Sequence, residues 1–125
     1  MRWYGGVAAM LLGSVAHPAD TDNPFIEGTP AFETGNKLYD ECKGSPGSFN
    51  SGFCAGFIVG IADLAAALKA IDFCPPQGMT VGQTVDTVKK FLTDHPESRH
   101  YSGYSEVIVA LRLGYPCAKQ PPATK

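Results

Sequence analysis

The sequence predicts an all-α fold, a compact four-helix up-down domain stapled by two disulfides. Three observations lead there. Four segments repeat apolar residues with a helical period, and none alternates as a half-buried strand would. Each segment is bounded by helix start or stop residues. Four cysteines, Cys42, Cys54, Cys74 and Cys117, flank these segments, and an even count in a small chain implies a disulfide framework.

The chain has 125 residues, enough for one domain and one modest core. Charged residues make up 18% and apolar residues 44%, which suits a folded globule rather than a disordered chain. A formal charge of −2 gives no basic footprint, so nucleic acid is excluded as an expected partner.

Residues 1–16 have the layout of a secretory signal peptide. Arg2 supplies the charge, Trp3 to Val15 the apolar run, and Ser14 and Ala16 the small residues before a cleavage point. Residues 17–33, rich in Pro, Gly, Asp and Thr, read as a flexible N-terminal arm. The helical domain spans 34–117, and 118–125 form a disordered tail. Export places the cysteines in an oxidising compartment.

The first helix is short. Thr34 caps it, Leu38 and Cys42 share a face, and Gly44 with Pro46 stop it. The second starts near Phe49 and runs to Pro75. The third opens at Thr80, whose spacing to Gln83 is that of a capping box. Val81, Val85, Val88 and Leu92 make its apolar stripe. The fourth starts at Ser102 or Gly103, with Tyr104, Val107, Ile108 and Leu111 along one face, Gly114 as a left-handed cap and Pro116 as the stop. Short connections make successive helices antiparallel. The end of the first helix then meets the start of the second, pairing Cys42 with Cys54. The second and fourth end at one pole, pairing Cys74 with Cys117.

The second helix is nearly long enough to cross a bilayer, but Asp63 at mid-length argues against a lipid-facing span. On a helical wheel Phe53, Phe57, Ile58, Ile61, Leu64, Leu68 and Ile71 share one side, the expected core face. Gly52, Gly56, Gly60 and Asp63 gather opposite. Glycines four apart allow close backbone approach, so this is an expected helix-packing or dimer face; the alternative is that it faces water.

Catalytic constellations are thin. His95 and His100 flank a proline turn with Asp94 and Glu97 nearby, but they do not share a helix face, and a polar corner or protein-contact surface is the expectation. No nucleophile elbow or phosphate loop occurs. The sequence therefore assigns no catalytic, cofactor-binding or metal residues, and the protein is not expected to be an enzyme.

Several motifs together carry a resemblance. They are C-x-G-F-I-x-G-x-x-D from Cys54 to Asp63, C-x-P-x-G-x-T-x-G-Q from Cys74 to Gln83, H-P-E-x-R-H from His95 to His100, and the closing Pro116-Cys117. This pattern, from Leu38 to Cys117, resembles the Rap/Tai family of immunity proteins, which protect bacteria from peptidoglycan amidase toxins delivered by type VI secretion. The resemblance implies a periplasmic, helical, homodimeric inhibitor that blocks an amidase groove by surface contact.

Such an inhibitor needs a protruding, well-supported loop. Two loops qualify, the disulfide-held segment 72–80 and the segment 94–104; the second is the expected contact, offering His95, Glu97, Arg99, His100, Tyr101 and Tyr104 as partner-binding residues, of types that anchor interfaces. The alternative is that Glu97 and Arg99 pair locally and stiffen the turn. At the level of function, the competing expectation is a small periplasmic helical chaperone or stress protein of the HdeA kind.

Overall fold

The computed structural model describes residues 31–69 and 71–118. The expected signal peptide, the arm up to residue 30 and the tail from 119 onward lie outside the described residues. Four helices follow in order: α1 (Gly35–Glu41), α2 (Phe49–Leu68), α3 (Val81–Asp94) and α4 (Gly103–Gly114). They pack on one another, and no strand occurs among the described residues; a single antiparallel bridge joins Thr34 to Ser102.

Three helix starts are capped as their residues dictate. Thr34 Oγ1 accepts the Lys37 N–H at 3.3 Å, and Ser48 Oγ accepts the Ser51 N–H at 3.2 Å. At α3 the capping box is complete: Gln83 N–H donates to Thr80 Oγ1 at 3.2 Å, and Thr80 N–H donates to Gln83 Oε1 at 2.9 Å. At α4 the Ser102 hydroxyl pairs instead with Ser105 Oγ at 2.7 Å, and the first amide, Gly103 N–H, finds Glu33 O at 2.8 Å. Orphan donors at a helix start must be met somewhere, and here the preceding chain meets one.

The core lies where all four helices converge. Leu38, Ile58, Val88, Leu92, Val107 and Leu111 are fully buried, drawn from every helix. Each contributes about 1.5–3 kcal/mol of burial free energy. Both expected disulfides form: Cys42 to Cys54 with a Cα separation of 5.1 Å, and Cys74 to Cys117 at 4.8 Å. The second bridge is backed by Cys74 N–H to Tyr115 O at 2.9 Å. Thus the α2–α3 connection is tied to the end of α4.

Four details depart from the sequence expectation. First, α2 stops at Leu68 rather than near Pro75. Lys69 turns left-handed (φ 51°) with its N–H still on Ala65 O, and the chain then folds back to bury Phe73. Second, the buried stripe of α2 is Cys54, Ile58, Ala62 and Ala65, rotated to one side of the expected face. Small residues there let α3 and α4 approach, so Phe53, Leu64 and Leu68 are left exposed. Third, Val81, expected on the α3 core stripe, is exposed, and Thr84 is buried in the first turn instead. Fourth, Gly114 is not a left-handed cap: Tyr115 ends α4, and a Cβ on Gly114 would lie 2.7 Å from Thr87 Cγ2. Its role is close approach of α4 to α3.

Candidate functional site

The connection between α3 and α4, residues 95–102, is built as a rigid ridge. His95 ends α3, since a residue before proline avoids helical geometry. Two turns follow, closed by Ser98 N–H to His95 O (3.2 Å) and Tyr101 N–H to Ser98 O (2.9 Å). The ridge is then clamped to the start of α1. Gly35 N–H donates to Tyr101 O at 2.9 Å and Asn36 N–H to Arg99 O at 2.7 Å. Free amides at the α1 start thus bind the carbonyls of the ridge. Only glycine fits at position 35, where a Cβ would sit 2.8 Å from both Arg99 O and Glu106 Cγ.

Side chains on the outer surface are ordered by their neighbours. His95 Nδ1 lies 3.0 Å from Glu97 Oε1, and His100 Nδ1 lies 2.9 Å from Glu97 O. A carboxylate and a carbonyl only accept, so both rings donate from Nδ1 and keep Nε2 as the acceptor when neutral. The His95 ring packs on Phe91 at 4.4 Å between centroids, and His100 on Tyr101 at 4.0 Å. Glu97 is solvent-exposed; its own backbone N–H and then the His95 ring hold its carboxyl below the usual range.

Arg99 is placed differently from its ridge neighbours. Its guanidinium turns back to donate to Leu92 O and, at 3.2 Å, to Thr93 O, the orphan carbonyls at the end of α3. It also stacks on the Tyr39 ring. Arg99 supports the ridge from behind, and Glu97 pairs with His95 rather than with it. Tyr104 sits in the first turn of α4, where it lines a cleft of about 260 Å³ with Ala31, Phe32, Glu33, Phe57 and Ile61.

Beneath the ridge lies a residue that sequence reading passed over. Glu106 is fully buried, with Oε2 2.9 Å from Ser98 Oγ and Oε1 without a hydrogen-bond partner. Its place in the first turn of α4 favours the ionised form by roughly 0.3–1 kcal/mol. Removing an unpaired charge from water costs several kcal/mol, so burial wins. Burial pushes its carboxyl above the usual range; the Ser98 hydrogen bond and the His100 and His95 rings pull the other way. The available signal was spacing: Glu106 is one residue before Val107 and four before Ala110, both core positions.

The glycine face of α2 is open. Among the described residues nothing lies within 4 Å of a Cβ placed on Gly52, Gly56 or Gly60, so none of the four described helices packs there. Beside it run the exposed Phe49, Phe53, Leu64 and Leu68, with the Phe49 and Phe53 rings 6.4 Å apart. Asp63 borders a separate cleft with Ala66, Phe73, Pro76 and Met79. No group of three or more metal-ligating side chains comes together among the described residues.

A family model described as Rap1a immunity proteins matches residues 34–117. The chain belongs to the Rap1a immunity protein family. No curated protein matches it. The Rap1a match opens at Thr34, the α1 cap, and closes at Cys117, so it takes in both disulfides, the ridge and its clamp. As a family member the chain is an immunity protein, whose partner is a toxin effector.

Proposed function

We propose that this chain is an exported, homodimeric immunity protein that binds and inhibits a peptidoglycan amidase toxin of type VI secretion in the periplasm. It acts by contact, with no chemistry of its own. The observation that carries the reading is the Rap1a match across the residues that build the ridge and its supports. A ridge already held by main-chain bonds to α1 loses little conformational entropy on binding, which favours a tight inhibitor. His95, Glu97, His100 and Tyr101 supply acceptors, a charge and aromatic area on its outer side.

Two disulfides in so small a domain support export to an oxidising compartment. The exposed apolar ribbon of α2 supports the homodimer. Contiguous apolar surface rimmed by polar residues marks contact sites, and here bulky Phe49, Phe53, Leu64 and Leu68 stand beside open glycines into which a second copy's side chains fit.

The test is inhibition of candidate type VI amidases, any encoded beside this chain's gene included, measured on purified peptidoglycan. Wild-type protein should block hydrolysis at a stoichiometric ratio. The triple variant Glu97→Ala, His100→Ala, Tyr101→Ala should fold normally and fail to inhibit. Full inhibition by that variant would move the contact off the ridge; no inhibition by wild type would remove the amidase reading.

A further inference from the structure

Ser98 Oγ lies 2.9 Å from Glu106 Oε2 and 3.1 Å from His95 O. A hydroxyl has one proton to donate, and both of these neighbours accept if Glu106 is ionised. One of the two contacts would then place oxygens together without a proton between them. Both are satisfied when Glu106 Oε2–H donates to Ser98 Oγ and Ser98 Oγ–H donates to His95 O. Oε1 becomes the carbonyl oxygen of a neutral acid, for which a buried site without a donor is far less costly than for a carboxylate.

We propose that Glu106 is kept protonated at neutral pH and, through this Glu106–Ser98–His95 relay, is the positioning residue of the partner-binding ridge. The inference rests on the reading of the ridge as the binding element. Ionisable groups that sense Glu106 are His95, His100 and Glu97, all from the ridge above it. From the other side α1 presents Gly35, which leaves no side chain between the helix and the acid. Burial of Glu106 outweighs the combined pull of the Ser98 hydroxyl and the two histidines toward ionisation, in line with the relay.

The experiment follows the Glu106 carboxyl carbon by NMR in the full domain and compares Glu106→Gln with Glu106→Leu. In wild type at pH 7 the carbon should resonate as a neutral acid; the shift of a carboxylate would overturn the proposal. Glu106→Gln supplies an amide N–H to Ser98 and should keep the slow exchange of the Ser98 and Tyr101 amides. Glu106→Leu should speed their exchange about tenfold and weaken amidase inhibition. Unchanged exchange in Glu106→Leu would also overturn it. If exchange speeds up while inhibition persists, the relay stands and the ridge is not the binding element. Should Glu106→Leu fail to fold, Ser98→Ala breaks the same relay from the other end, with the same two readouts.

Discussion

The Arg99 guanidinium stands 3.6 Å from the centroid of the Tyr39 ring while donating to the last carbonyls of α3. One side chain therefore ties the ridge, α1 and α3 together. Its loss should be felt as instability before it is felt as lost recognition. A half-buried cation–π contact contributes about 0.5–2 kcal/mol, and each charge-assisted hydrogen bond about 1.5–3 kcal/mol. The Thr93 bond is exposed and exchanges with water at little cost, so Arg99→Ala should lower unfolding free energy in urea by about 2–3 kcal/mol. Arg99→Lys should restore little of it, because an ammonium lacks the planar fork. A normal urea midpoint with abolished inhibition would make Arg99 a direct contact instead.

Glycines at two places should answer alanine in opposite directions. At Gly35 a new Cβ meets Arg99 O at 2.8 Å, and main chain cannot yield cheaply. Gly35→Ala should destabilise the fold by about 1–3 kcal/mol. At Gly56 the space is open. Gly56→Ala should stabilise an isolated chain by roughly 0.5–1 kcal/mol, because alanine loses less entropy in a helix. If the α2 face joins two copies, the same change weakens the dimer, so dilution-dependent sedimentation and urea titration should move in opposite senses. A rise in stability with no change in association would take the dimer contact away from this face.

The two disulfides should separate under mild reduction. Cys74 is exposed, whereas Cys42 and Cys54 retain only 4% and 2% of their accessible surface, so Cys74–Cys117 should open first. It also closes the longer loop, with a sequence separation of 43 against 12. Chain-entropy estimates give about 4 kcal/mol for the longer loop and about 3 kcal/mol for the shorter. Stepwise thiol alkylation with mass spectrometry, paired with thermal unfolding, reads both order and cost; opening of Cys42–Cys54 first would contradict the burial argument.

Glu106 gives the pH profile a definite sign. Its carboxyl titrates higher in the folded chain than in the unfolded one because burial penalises the charge. The native state then binds more protons in the window between the two values, so stability falls as pH rises through it. The contribution is fully present below the unfolded value of about 4.3 and is lost as pH climbs past the folded value. Glu106→Gln removes that slope. Its stability relative to wild type should therefore increase from pH 4 to pH 7, as followed by urea unfolding at each pH. A constant difference across that range would show that Glu106 does not titrate anomalously.

Element type and order were legible in the sequence because their signals are local. Thr80 and Gln83 lie three residues apart and make their capping box within a single turn. Antiparallel order followed from short connections, and it fixed both cysteine pairs. The residues of the ridge were legible as well, since Pro96 interrupts a helical pattern among polar and aromatic side chains.

Orientation and support came only with tertiary structure. A helical wheel ranks faces by side-chain size, but packing turns α2 so that Ala62 and Ala65 are buried and Leu64 and Leu68 stay outside. Arg99 and Glu106 have ordinary sequence neighbours, and their partners, Tyr39 and Ser98, come from other elements. Sequence alone thus determined which helices form, how the cysteines join them and which family the pattern resembles. Only packing decided which face of α2 is left bare, that Arg99 supports the ridge from behind, and that a buried acid lies beneath it. Those outcomes depend on contacts between residues distant along the chain, whose energies no local pattern encodes.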